Sequence, residues 1–141
     1  MNDLNPFDAA IARIIASMDE TDKKMLRALP PAMVNGHMAA LHFNTGRHIR
    51  NDLGLWDKTS PIYCHLNAVH GLWHGDDMGA VVMDAILRDI RGEPRRTVEL
   101  VARFAHHWEQ MGIDPKTGEQ VRPMPKSMTI LVKAPNPFDR N

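Results

Sequence analysis

Apolar residues recur at helical spacing over most of the first 112 positions. Asn5-Pro6 supplies a cap and a first-turn proline, and Phe7, Ile11, Ile14, Ile15 and Met18 follow as one stripe. Asp19 and Thr21 offer a second cap, after which Met25, Leu26 and Leu29 share a face until Pro30-Pro31 ends the helix. From about Val34 to Asp52, the positions Met38, Leu41, His42, Thr45 and Ile49 predict a third helix ending near Gly54. Ser60-Pro61 opens a fourth, with Ile62, Leu66, Val69 and Trp73 as its stripe and Gly75 as its breaker. Asp76 and Asp77 suit the positive start of a fifth helix, carried by Met78, Val81, Val82, Ala85, Ile86 and Ile90 and closed by Gly92. Pro94 begins a sixth, whose face reads Thr97, Leu100, Val101, Phe104, Trp108 and Met111 before Gly112 in the C′ position.

Beyond Gly112 the helical period is lost, and Pro115, Pro123, Pro125, Pro135 and Pro137 punctuate the remainder. Within it only Met128-Thr129-Ile130-Leu131-Val132 is β-prone, and a lone strand needs an edge or a groove to lie in. The expected fold is therefore all-α: a compact bundle of five or six helices over residues 1–112, and an extended, proline-rich tail over 113–141 with room for one short strand. The apolar part of that tail has to dock. Its own core, a second copy in a homodimer and the edge of a partner's sheet are the three candidates, with an intermolecular role favoured because the helices offer no strand to pair with.

Composition narrows the function. The 141 residues fit one domain, and 43% apolar with 24% charged residues is ordinary for a globular chain. Seventeen basic and seventeen acidic side chains leave no global field for nucleic acid or an anionic membrane, so any such binding needs a local patch. The one such patch is the knot Arg88, Arg91, Arg95 and Arg96, and helix-dipole complementarity already accounts for Arg88 and Arg91. A polar N-terminus without a secretory pattern, no stretch long enough to span a bilayer and a single cysteine, Cys64, lead to a cytoplasmic, reducing setting as the expectation.

Eight histidines are the chemical peculiarity of the chain. His70 and His74 are four apart, so on one helix both imidazoles would point the same way and could grip a divalent ion such as zinc or nickel. A third ligand could come from His42, His48, His107, Asp76 or Asp77. Such a set resembles the DinB-like helical bundles, in which an early histidine joins a later H-x-x-x-H pair; that resemblance implies a metal-dependent bundle enzyme with His42, His70 and His74 as ligands. The structural alternative needs no metal and no cofactor: His42 and His70 hydrogen-bonded in the core, with His48, His65 and His106 at the surface. There is no H-E-x-x-H, no His-Asp step and no glycine-rich phosphate loop, and Cys64 and His65 point about a hundred degrees apart on a helix, which argues against a nucleophile and base.

The run His42-x-x-x-Gly46-Arg47-x-Ile49-Arg50-Asn51-Asp52-x-Gly54-Leu55-Trp56, with the later His74-Gly75-Asp76-Asp77-Met78-Gly79, resembles an uncharacterised bacterial family of unknown function over about Met38 to Arg91. Gly79 stands where that pattern has serine. Physically, Arg47 and Arg50 lie on one helix face and could meet Asp76 and Asp77 in an ion-pair and capping cluster. The functional counterpart is a polar pocket of Arg47, Arg50, Asn51, His74 and Asp77 for a small anionic ligand. The expected activity is binding or regulation without catalysis, through a protein partner or such an anion.

Overall fold

A computed structural model describes residues 4–29 and 53–124. The third expected helix, with His42, Arg47, Arg50 and Asn51, lies outside the described residues, as does Met128–Val132. Five helices make up the described chain: α1 (Pro6–Ser17), α2 (Glu20–Arg27), α3 (Pro61–His70), α4 (Gly75–Arg91) and α5 (Thr97–Gln110). No strand occurs among them, only an isolated bridge between Ile113 and Gln120, so the fold is all-α.

Local chemistry sets most of the helix ends. The Asn5 side chain accepts from the Asp8 N–H at 2.8 Å and Pro6 pre-sets the first turn of α1, while Asp19 and Ser60 cap α2 and α3 in the same way. Gly71 and Gly92, at φ +71° and +70°, end α3 and α4 in the left-handed conformation that glycine adopts without strain.

Packing decides the rest. α4 is the axis of the bundle: Val81 to Leu87 are buried on every side, because α1, α2, α3 and α5 all pack against it. Asp84 is the one charged group in that stretch, and Arg88 neutralises it one turn later at 3.1 Å. Phe7, Ala10 and Ile11 of α1, Leu26 of α2 and Ile62, Tyr63 and Leu66 of α3 complete the core. Each such aliphatic or aromatic side chain contributes about 1.5–3 kcal/mol on burial.

The arginine knot is an internal clasp. Arg91 donates to Leu26 O and Leu29 O at 2.8 Å each, satisfying carbonyls at the open C-terminal end of α2. Arg95 pairs with Asp89 at 2.6 Å and with Asp8 at 2.5 Å, and lies over the Phe7 ring. This clasp draws residues 93–96 into a linker, and α5 accordingly begins at Thr97 rather than at Pro94.

After α5 the chain turns back on itself. Asp114 and Glu119 close a tight loop through the Asp114 N–H to Glu119 O bond of 2.8 Å, and the Val121 N–H returns to Gly112 O at 2.8 Å. Asn67 of α3 pins that loop by donating to Lys116 O, so the residues just beyond 112 are fastened to the helices.

Candidate functional site

The four-residue spacing of His70 and His74 does not fall on a helix. Gly71 ends α3 directly after His70, and Leu72 and Trp73 bridge to α4, whose N-cap is His74. The geometric premise of a paired grip on a metal is thereby removed. His70 sits at the end of α3 with its ring 5.8 Å from Phe7 and 6.0 Å from His65. Burial is the main cause that lowers its pKa, with His65 adding to the effect and Asp8 opposing it. Among the described residues, no three His, Cys, Asp or Glu side chains come together in a way that could hold a metal ion.

His74 instead organises a different cluster. Its Nδ1 accepts from the Asp76 N–H at 3.0 Å, so in the neutral ring the proton sits on Nε2. All three tryptophans of the chain surround it. Trp56 meets the imidazole edge-on at 5.3 Å, Trp73 edge-on at 5.0 Å, and Trp108 stacks nearly parallel at 5.8 Å. Trp73 and Trp108 also touch each other at 4.8 Å, a spacing favourable for edge-to-face rings.

Each ring is delivered by its own device. Trp56 lies in the turn before α3, where buried Leu53 and Leu55 anchor the backbone and Ser60 Oγ donates to Gly54 O at 2.8 Å. The Asp57 side chain closes that turn by accepting from Thr59, which holds its carboxyl below the usual range. The Trp56 ring then packs over Gly75, where a Cβ would come within 2.9 Å of it. Trp73 is fixed through its carbonyl, which accepts from the Tyr63 hydroxyl at 2.8 Å; its own indole N–H is buried without a hydrogen-bond partner. Trp108 donates to Asp77 Oδ2 at 2.8 Å.

Of the expected anion pocket, His74 and Asp77 lie within the described chain. Asp77 occupies the first turn of α4, and burial raises its pKa against the opposing effects of the Trp108 hydrogen bond and of His74 and His107. Asp76 beside it is exposed enough to reach solvent, its Oδ2 3.9 Å from His74 Nδ1. Cys64 is exposed and directs its thiol to Lys58 O. The tryptophan convergence has no counterpart in the sequence pattern, because its members come from a turn, an inter-helix joint and α5.

No helix among the described residues is long and apolar enough to cross a membrane. Residues 5–90 match the family model described as Domain of unknown function (DUF6794), in keeping with the resemblance read from the sequence. Trp56, Trp73, His74 and Asp77 fall inside the matched stretch, whereas Trp108 lies beyond it. No curated protein and no solved structure matches the chain.

Proposed function

The chain belongs to the DUF6794 family, a domain of unknown function, and we propose that it is a small non-catalytic binding protein whose recognition surface is the tryptophan-rich face around His74. The observation that carries this reading is Trp56, which keeps 54% of its surface exposed while both its turn and its ring are held in place. A rigid, half-exposed tryptophan is the residue type that most often anchors a protein partner, since its large ring is buried at little entropic cost.

The charges around this face favour a protein over a small anion. Asp76 and Asp77 are the ionisable acids at the head of α4, and they repel a phosphate or carboxylate. Three of the four arginines that could have made a nucleic-acid patch are engaged within the fold, Arg88 on Asp84, Arg91 on the end of α2 and Arg95 on Asp8 and Asp89, while Arg96 is exposed beside Glu99.

Site-specific photo-crosslinking in cells tests the reading. A benzophenone side chain at position 56 is expected to give a discrete adduct that the same group at Met25, an equally exposed apolar position on α2, does not give. No adduct at 56, or the same adducts at both positions, would sink it.

A further inference from the structure

His74 caps α4 with a ring nitrogen. Its Nδ1 accepts from the Asp76 N–H at 3.0 Å, which only the neutral imidazole can do, because in the imidazolium both nitrogens carry protons and neither can accept. An asparagine, aspartate or serine at a cap keeps its acceptor between about pH 5 and 8, whereas a histidine can lose it there. The start of α4 is therefore conditional on protonation, and the Asn5, Asp19 and Ser60 caps of α1, α2 and α3 are not.

The groups facing the ring decide what a proton does to it. From α4, Asp76 Oδ2 lies 3.9 Å from Nδ1, and Asp77 is close enough for the imidazole to act on its ionisation. From α5, Trp108 stacks on the imidazole, with the His107 ring 5.0 Å from Trp108. α3 contributes the Tyr63 hydroxyl, which donates to Trp73 O. The turn before α3 contributes Trp56 beside Asp57, whose carboxyl accepts from Thr59, and the 113–122 loop brings Gly118 against Trp73. Two acids and the stacked Trp108 ring hold a cation in the cluster, whereas the α4 dipole and the Asp76 N–H oppose one at the cap. The protonated ring thus stays among the tryptophans but turns Nδ1–H away from the Asp76 N–H. Such a turn sweeps between Trp56 and Trp73, which flank it edge-on at 5.3 and 5.0 Å. Trp73 is held by Tyr63 and Gly118, and Trp108 by Asp77. Trp56, 54% exposed, has open space on its outer side and is the ring that yields.

We propose that His74 is a proton-operated latch: neutral, it caps α4 and fixes Trp56; protonated, it releases the cap and loosens Trp56. The latch is a property of this chain alone. Its consequence, weaker partner binding in acid, rests on the reading of Trp56 as the recognition surface. The two are separable, because the latch is read without a partner and a failed crosslink at position 56 leaves it standing.

Amide and indole NMR signals of the full-length chain test it. As pH falls from about 8 to about 5, the Asp76 amide proton should move upfield as its hydrogen bond is lost. With the same midpoint the Trp56 indole should lose its heteronuclear NOE, the mark of fast local motion, while Trp73 and Trp108 keep theirs. His74→Asn retains a cap acceptor that does not titrate, so both changes should vanish. His107→Gln removes the neighbouring imidazole and should keep both. An Asp76 amide that stays put in the wild type overturns the latch, whatever the variants do. So does a Trp56 indole as rigid at the acid end as at the alkaline end, and so do changes that survive His74→Asn or are lost in His107→Gln.

Discussion

Trp108 donates its indole N–H to Asp77 across 2.8 Å, joining the last turn of α5 to the first turn of α4. Through this bond a carboxyl that burial disfavours in its charged form is kept at the head of a helix, where the dipole favours negative charge. Asp77 therefore serves the fold as the acceptor that holds Trp108. Asp77→Asn keeps the acceptor and removes the charged group's desolvation, so stability at pH 7 should stay within about 0.5 kcal/mol of the wild type. Asp77→Ala leaves the Trp108 N–H without its partner and should cost about 1–3 kcal/mol in urea denaturation. Equal losses for the two variants would mean that the charge, not the hydrogen bond, is what matters.

His70 makes a pH prediction of definite sign. Its folded pKa lies below that of a free imidazole because it is partly buried and close to His65. The unfolded chain thus takes up this proton more readily than the folded one. The associated stability is fully present above about pH 6.5, the unperturbed value, and is lost as pH falls towards the folded pKa. Urea midpoints at pH 7.5 and 5.5 should fall less in His70→Leu than in the wild type, since the other histidines titrate in both. A steeper fall in the variant would contradict the sign.

The parts of this fold that could be read from the sequence are the ones fixed by neighbours along the chain. Asn5-Pro6, Ser60-Pro61 and Gly92 mark helix ends because a cap, a preset φ and a left-handed glycine act within a few residues. His70 and His74 misled for the same local reason: apolar spacing extends the fourth helix to Trp73, whereas Gly71 stops it three residues earlier. The gathering of Trp56, Trp73 and Trp108 on His74 depends on three separate elements meeting in space, and no periodicity encodes that. The basic knot likewise reads as surface until Asp8, eighty-seven residues from Arg95, is found beside it.

Two glycines with the same backbone separate strain from space. Gly92 and Gly118 have φ of +70° and +77°, so alanine at either carries the left-handed penalty of about 1–2 kcal/mol. At Gly92 nothing lies within 4 Å of a Cβ, whereas at Gly118 a Cβ would run into the Trp73 ring. Gly118→Ala should therefore cost about 1–3 kcal/mol more than Gly92→Ala, the usual range for overpacking. It should also shift the tryptophan emission, which Gly92→Ala leaves alone. Equal destabilisation by both would show that the 112–122 loop does not press on Trp73 as described.

The last test concerns Arg91, whose side chain is only 9% exposed and which serves two ends of the chain at once. Its Nε pairs with Glu93 at 2.9 Å, while Nη1 reaches Leu26 O and Leu29 O, carbonyls that α2 leaves without an intrahelical donor. A guanidinium can do both because its donors are set in a fixed planar fork; an ammonium is a single point and can serve one end or the other. Arg91→Ala strips the partners from Glu93 and from the end of α2 together, and should cost about 2–4 kcal/mol as a buried charged hydrogen-bond network is broken. Arg91→Lys should recover less than half of that, because the charge returns without the fork. Hydrogen exchange localises the effect: both variants should open α2 well before α4. If lysine restored full stability, Arg91 would act through its charge alone, and the clasp between α2 and the end of α4 would not be what holds α2 to the bundle.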